Sequence, residues 1–125
     1  MIARRRAMRE LYRDLFSGVD GVEIFGGESD NDDNFWLTSI VIDSAVTDWT
    51  PAELSGALLT DNIESRPLWK PMHLQPVFEA ARALCNGNSQ RLFETGLTLP
   101  SGSALSAGEI ERVVAGLQAF AGVRA

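Results

Sequence analysis

Apolar residues recur with the period of an α-helix at both ends of the chain. The first segment places its apolar side chains on one face and its polar side chains on the other. The apolar set is Met8, Leu11, Tyr12, Leu15 and Phe16, and the polar set is Arg9, Glu10, Arg13 and Asp14. This spacing predicts a helix over residues 2–17. A second stripe near the C-terminal end predicts another helix, and it consists of Ile110, Val113, Val114, Leu117 and Phe120.

Two helix starts carry the sequence signature of a capping box, in which a hydroxyl residue precedes a glutamate by three positions. Thr50 and Glu53 form the first, with Pro51 at the first helical position, and they predict a helix to about residue 60. Ser106 and Glu109 form the second and begin the C-terminal helix. Leu105 and Ile110 can pack across that start.

Shorter apolar runs between these helices predict strands. Residues 22–25 and 97–99 are brief, whereas residues 35–43 are rich in aromatic and β-branched side chains on both faces, as in a central strand. Residues 76–85 and 89–95 are predicted to be short helices. The order of elements predicts an α+β fold, a single domain over residues 1–125, with a small, mostly antiparallel sheet and helices on one face.

The acidic segment 28–34 could suggest a calcium loop, because it holds four acids in six residues. An EF-hand loop requires a central glycine and a terminal glutamate at set positions, and this segment has neither. A solvated connection between two strands is the better interpretation.

Residues 62–78 combine cationic and aromatic side chains with three prolines. Pro67, Pro71 and Pro76 each remove a backbone donor and fix φ, so we expect a stiff, extended loop without regular helix or strand. An arginine fork suits phosphate, and tryptophan offers a flat face. The loop therefore suits an anionic ligand that contains a ring.

The overall composition limits the class of protein. The net charge of −6 over 125 residues argues against a nucleic-acid partner, because phosphate backbones require a basic surface. The single cysteine, Cys85, allows no internal disulfide and fits the cytoplasm, where we interpret it as a small apolar residue on a short helix. No apolar run is long enough for a membrane span.

Three ordered blocks resemble the DegT/DnrJ/StrS family of pyridoxal phosphate-dependent aminotransferases, which act on nucleotide-linked keto-sugars. The blocks are residues 34–43, 62–78 and 92–103, and the second is the most specific. The resemblance implies the C-terminal small domain of a fold-type I aminotransferase. It also implies a homodimer for the full-length enzyme, with a nucleotide-linked sugar as ligand.

The resemblance implies that the proline-rich loop lines the sugar-nucleotide pocket. The candidate substrate-binding residues are Arg66, Trp69, Lys70, Met72 and His73. His73 would contact a phosphate or a sugar hydroxyl, although a lone histidine in such a loop also serves structural roles. Arg66 would bind phosphate, or it would pair with Glu64 or with a carboxylate of another domain. Trp69 and Met72 would form pocket walls or pack against another domain.

The family's large domain, which carries the cofactor and its Schiff-base lysine, has no counterpart in this sequence. Lys70 is the only lysine, and it lies where the family has no such residue. We therefore expect no catalytic residue and no cofactor in this chain alone, although pyridoxal phosphate is implied for the full-length enzyme. The uncapped first helix, with Arg4 to Arg6 in its first turn, agrees with truncation.

Two functional hypotheses follow, together with a weaker one. The chain is the small domain of a sugar-nucleotide aminotransferase, or it is a stand-alone binding module that pairs with a separately encoded large domain. An unproductive remnant of a broken gene is the third and weaker alternative.

Overall fold

The fold is described from a computed structural model that covers residues 1–26 and 32–122. The helices are α1 (Ile2–Phe16), α2 (Ser44–Thr47), α3 (Pro51–Thr60), α4 (Asn88–Thr95) and α5 (Ala107–Ala121). The strands are β1 (Val22–Phe25), β2 (Thr38–Ile42), β3 (Arg66–Pro67) and β4 (Gly96–Leu99). Residues 28–31 of the acidic segment lie outside the described part.

The strands form one antiparallel sheet in the order β1-β2-β4-β3. Strand β2 is central, as predicted, and Ile40 pairs with Ile24 on one side and with Leu97 on the other. Ile40, Ile42, Leu97 and Leu99 alternate along their strands toward one face of the sheet. The predicted α+β class and mostly antiparallel sheet are confirmed.

The core lies between that face of the sheet and three helices. Its buried apolar side chains come from α1, α3, α5 and the strands, and they include Tyr12, Leu54, Leu58, Val113 and Leu117. Both predicted capping boxes are present, at Thr50 with Glu53 and at Ser106 with Glu109. Each box fixes where its helix begins and so aligns an apolar stripe with the core.

Helix α4 covers the opposite face of the sheet. It contacts β2 and β4, and Leu92 lines a surface groove with Val41, whose side chain alternates away from the core-facing Ile40. The prediction of helices on one face therefore holds for the helices that build the core, but not for α4.

Several predicted boundaries were wrong. Strand β2 begins at Thr38 rather than at residue 35, because Phe35 has a φ of 52° and turns the chain. Helix α2 was not predicted, and its cap is Asp43, whose side chain accepts from the Ala45 N–H. The predicted helix over residues 76–85 is absent, since only Pro76–Phe78 forms a 3₁₀ turn. Cys85 is consequently exposed and not on a helix.

A buried serine, Ser101, lies in the turn after β4. The Ser101 hydroxyl donates to the Leu99 carbonyl and accepts from the Thr38 N–H, at 2.7 and 2.9 Å. Ser101 thus ties the start of β2 to the end of β4. Among the described residues, no helix has both the length and the apolarity needed to cross a bilayer.

Candidate functional site

The proline-rich loop contains more regular structure than its prolines suggested. Arg66 and Pro67 form the edge strand β3, paired with Thr98 and Leu97 of β4. A proline is tolerated there because an edge strand leaves one side without a ladder partner. Met72–Leu74 forms a short 3₁₀ turn. The prediction that this loop lacks a strand was therefore wrong.

Two apolar side chains anchor the loop to the domain. Ile63 is buried, and its N–H donates to the Leu58 carbonyl at the end of α3. Leu68 lies directly over Gly96 of β4, where a β-carbon would overlap with the Leu68 side chain. Between these anchors Glu64 and Arg66 are exposed, whereas Ser65 is half-buried and its hydroxyl donates to that of Ser55 at 2.9 Å.

Arg66 is exposed and already has an anionic partner. Its guanidinium pairs with the Glu64 carboxylate at 2.7 Å, and the two side chains are 75% and 70% exposed. An ion pair this exposed is weak, because water screens both charges. An incoming phosphate can therefore compete with Glu64 for the arginine.

Trp69 is the most exposed tryptophan, and it contacts a second one. Its ring lies 6.4 Å from that of Trp36 with an interplanar angle of 45°. Lys70 follows Trp69 and is also exposed. Gln75 holds the backbone here, because its amide nitrogen donates to the Lys70 carbonyl at 3.3 Å and approaches the Met72 sulfur at 3.6 Å.

Met72 and His73 line an open groove of about 620 Å³. The remaining lining residues are Pro71, Leu84, Cys85, Asn86 and Ser89. His73 is half-buried, whereas Met72 is 59% exposed. The five candidate residues thus lie on one continuous loop, but only Met72 and His73 share this groove. Arg66, Trp69 and Lys70 are not part of its lining.

The segment that carries Trp36 is held by a buried arginine on α1. Arg9 is only 4% exposed, pairs with Asp33 and donates to the Leu37 carbonyl at 2.9 Å. Its guanidinium also lies 4.6 Å from the centre of the Phe35 ring. Arg9 was predicted on the polar face of α1, opposite the apolar side chains, and it is nevertheless buried because residues 33–37 cover that face here.

The pKa of the Asp33 carboxyl lies below its usual range. The main cause is the hydrogen bond from the Phe35 N–H, at 2.8 Å, and the Arg9 side chain adds to it. Asp33 is therefore ionised at neutral pH, and it fixes both Phe35 and Arg9. Sequence reasoning missed this cluster, although three polar residues directly before an aromatic pair are a recognisable turn signal.

Pyridoxal phosphate does not fit the residues around Lys70. A Schiff-base lysine works from a pocket that binds the cofactor's phosphate and ring. Lys70 is exposed, and the adjacent Trp69 is 74% exposed, so the loop offers a surface instead of a pocket. No catalytic step through the cofactor is derived from this chain.

Within the described ranges, no cluster of three acidic, histidine or cysteine side chains is placed to hold a metal ion.

Comparison with known proteins relates this chain to one family of aminotransferases. Residues 1–118 match the model of the DegT/DnrJ/EryC1/StrS aminotransferase family. EpsN of Bacillus subtilis (strain 168), whose name places it among pyridoxal phosphate-dependent aminotransferases, is 32% identical over 117 residues. The GDP-perosamine synthase of Vibrio cholerae is 28% identical over 118 residues. Each alignment covers 90% of this chain, but only 29% and 30% of the respective relative.

A solved structure shows the same fold. The aminotransferase TlmJ from Streptoalloteichus hindustanus superposes with a TM-score of 0.77 at 23% identity, over 94% of this chain and 31% of TlmJ. At that identity the superposition establishes the fold alone. The family model, in contrast, covers nearly the whole chain, and from that match it follows that this chain belongs to the DegT/DnrJ/EryC1/StrS aminotransferase family.

Proposed function

We propose that residues 1–125 are the small domain of a sugar-nucleotide aminotransferase, and that they border the pocket for the nucleotide-linked sugar. A large domain that carries pyridoxal phosphate completes the enzyme, either as further sequence or as a separate polypeptide. The observation that carries the proposal is the family match over residues 1–118, together with the loop that this match includes.

The exposure of the loop supports a role in ligand binding. Arg66 and Lys70 lie at the surface and are not sealed in the core, and His73 is half-buried beside an open groove. Arg66 pairs with the Glu64 carboxylate, and this ion pair is weak because both side chains are exposed. In a chain of net charge −6, this loop carries two cations, Arg66 and Lys70, against one carboxylate, Glu64, so a diphosphate would meet a local excess of one positive charge.

The loop also leaves apolar side chains in water that a second domain would cover. Met72 and Val77 of the loop, and Leu84 shortly after it, are between 59% and 103% exposed within thirteen residues. Exposed apolar surface on this scale marks an interaction site. We propose that this surface contacts the large domain and, in the assembled enzyme, the second subunit of a homodimer.

The chemistry divides between the two domains. When bound to the large domain, pyridoxal phosphate supplies the carbonyl group that carries nitrogen from an amino-acid donor, usually glutamate, to the keto-sugar. The small domain binds phosphate through Arg66 and Lys70, positions the sugar through His73, and excludes water when the pocket closes. We place the reaction in the cytoplasm, where the exposed thiol of Cys85 stays reduced.

A chimera tests this proposal. The segment of Bacillus subtilis EpsN that aligns with this chain is replaced by residues 1–125, and transamination of nucleotide-linked keto-sugars is measured. In the active chimera, His73→Ala and Arg66→Ala should each raise KM for the sugar nucleotide by roughly tenfold. The absorbance of the cofactor's internal aldimine should not change, because these residues do not hold the cofactor.

Two controls make the result decisive. Arg112→Ala removes an exposed cation on α5, whose side chain donates to the Asp61 carbonyl, and it should leave KM unchanged. If His73→Ala and Arg66→Ala both keep the parental KM, the loop does not border the pocket. A chimera that binds sugar nucleotides but never transfers nitrogen would instead favour the stand-alone binding module.

A further inference from the structure

Two exposed tryptophans from distant parts of the sequence meet at the surface. Trp36 is 60% exposed and Trp69 is 74% exposed, yet their ring centroids are only 6.4 Å apart. Trp49, in contrast, is half-buried, and its ring packs edge-on against that of Phe120 with the ring centroids 5.3 Å apart. Leaving two large aromatic rings in water forgoes a substantial gain from burial. The Trp36–Trp69 pair therefore calls for a functional explanation.

The backbone under each ring is fixed. Trp36 follows Phe35, which is fully buried at a φ of 52°. The guanidinium groups of Arg6 and Arg9 lie 4.8 and 4.6 Å from the centre of the Phe35 ring. A bulky residue in that left-handed region is strained, and such strain persists at sites where the surroundings impose it. The Trp36 N–H also donates to the Asn34 side chain at 2.9 Å.

Trp69 has an equally firm support. Its preceding residue, Leu68, packs on Gly96, and β3 pairs with β4 immediately before it. Pro71 restricts the backbone two residues later. The backbone that carries each ring is thus held in place before any ligand arrives, which lowers the entropic cost of binding.

The angle between the rings determines what they can hold. Planes at 45° do not stack on each other, so each ring keeps a face open to a flat ligand. Lys70 follows Trp69 directly, and Arg66 lies three residues before it at the same sheet edge. A planar ring with an anionic tail matches this combination of groups.

We propose that Trp36 and Trp69 form a stacking platform for the base of a nucleoside diphosphate, with Lys70 on the side of the phosphates. The proposed function supplies the ligand class, and the platform adds which part of the nucleotide sugar these rings contact. Trp36 thereby becomes a binding residue outside the proline-rich loop. Stacking tolerates different bases, because every base presents a π-face.

Titrations of the full chain with UDP, TDP, GDP and inorganic pyrophosphate test the platform. Tryptophan fluorescence should be quenched by the nucleoside diphosphates and not by pyrophosphate. Trp36→Ala and Trp69→Ala should each weaken binding by about tenfold, within the range known for base stacking on aromatic side chains. Trp36→Phe keeps a flat face and should retain most of the affinity. Trp49→Phe is the matched control and should preserve both quenching and affinity.

Several outcomes would overturn the platform. They are equal quenching by pyrophosphate, unchanged affinity in Trp36→Ala, and no binding of any of the three nucleotides at millimolar concentration. Circular dichroism of each variant verifies that it is folded, and recovery of affinity in Trp36→Phe separates loss of the ring from misfolding.

The platform and the proposed function can fail separately. An EpsN chimera that transfers nitrogen normally with Trp36→Ala and an unchanged KM keeps the function and removes the platform. A chain that binds nucleoside diphosphates through both tryptophans, in a chimera without transferase activity, keeps the platform and removes the function.

Discussion

Arg9 shows how a single residue links the first helix to the candidate site. Buried arginines are rare unless paired, and this one meets a carboxylate, a backbone carbonyl and an aromatic face. These contacts fall on residues 33–37, the segment that ends at β2 and presents Trp36. The position of Trp36 therefore depends on a charge buried on α1.

We expect Asp33→Asn to destabilise the protein by about 1–2 kcal/mol at pH 7. The asparagine can still accept from the Phe35 N–H, but it leaves the charge of Arg9 without its carboxylate partner. Thermal unfolding measures the loss. Asp20→Asn, at an exposed turn, is the control and should change stability by less than about 0.5 kcal/mol.

The same variant should show a distinct pH dependence. Folding lowers the pKa of Asp33, so its contribution to stability is complete above the unfolded pKa, near 4, and is lost as pH falls through the folded value. The difference in Tm between wild type and Asp33→Asn should consequently narrow below about pH 4. A difference in Tm that stays constant down to about pH 2.5 would count against a stabilising ion pair between Asp33 and Arg9.

At the scale of elements, Gly96 connects the loop to the sheet. It begins β4, directly after α4, and a β-carbon there would lie 2.5 Å from the Leu92 carbonyl oxygen and would overlap with Leu68. The absence of a side chain lets the loop approach the sheet closely. The contact of Leu68 with Gly96 therefore fixes the backbone position of the next residue, Trp69.

Gly96→Ala should destabilise the fold by about 1–3 kcal/mol and change the emission of Trp69, because Leu68 must move. Gly56→Ala is a matched control in the middle of α3, where a β-carbon meets nothing within 4 Å. It should stabilise the protein by about 0.5–1 kcal/mol. Equal effects of the two substitutions would show that Leu68 does not anchor the loop.

At the scale of the whole molecule, residues 79–89 stand out, because every one of them is exposed. Residues 82–86 belong to no helix or strand, although the alanine-rich sequence has a high helix propensity. A helix needs an apolar surface to pack against, and the described part of the domain offers none at this place. Leu84, at 103% exposure, is the clearest sign of this.

Limited trypsin digestion should therefore cut first after Arg82. The two fragments should stay associated, because β4 and α5 remain paired with β2 and packed on α3. Gel filtration followed by mass spectrometry detects the nicked complex. Arg82→Gln should remove this early cut, whereas a first cut at Arg112 within α5 would contradict the described order of exposure.

The sequence by itself determined the elements whose signals are local. Each of these signals depends on the spacing or type of residues within one element. They are the two capping boxes, the apolar stripes of α1 and α5, and the apolar side chains on both faces of β2. The family resemblance over the proline-rich loop was equally readable. These features fixed the α+β class and the candidate residues Arg66, Trp69, Lys70, Met72 and His73.

Which residues far apart in the sequence come into contact could be seen from the folded structure alone. Arg9 follows the polar period of α1 and is nevertheless buried, because residues 33–37 fold over it. The segment 76–85 has the composition of a helix, but residues 1–26 and 32–122 offer it no apolar surface to pack against. Trp36 and Trp69 come together because β2 and β3 both flank β4, so the sheet order closes a gap of 33 residues. Local propensity cannot encode such encounters, since they arise from strand pairing and from burial across the whole domain.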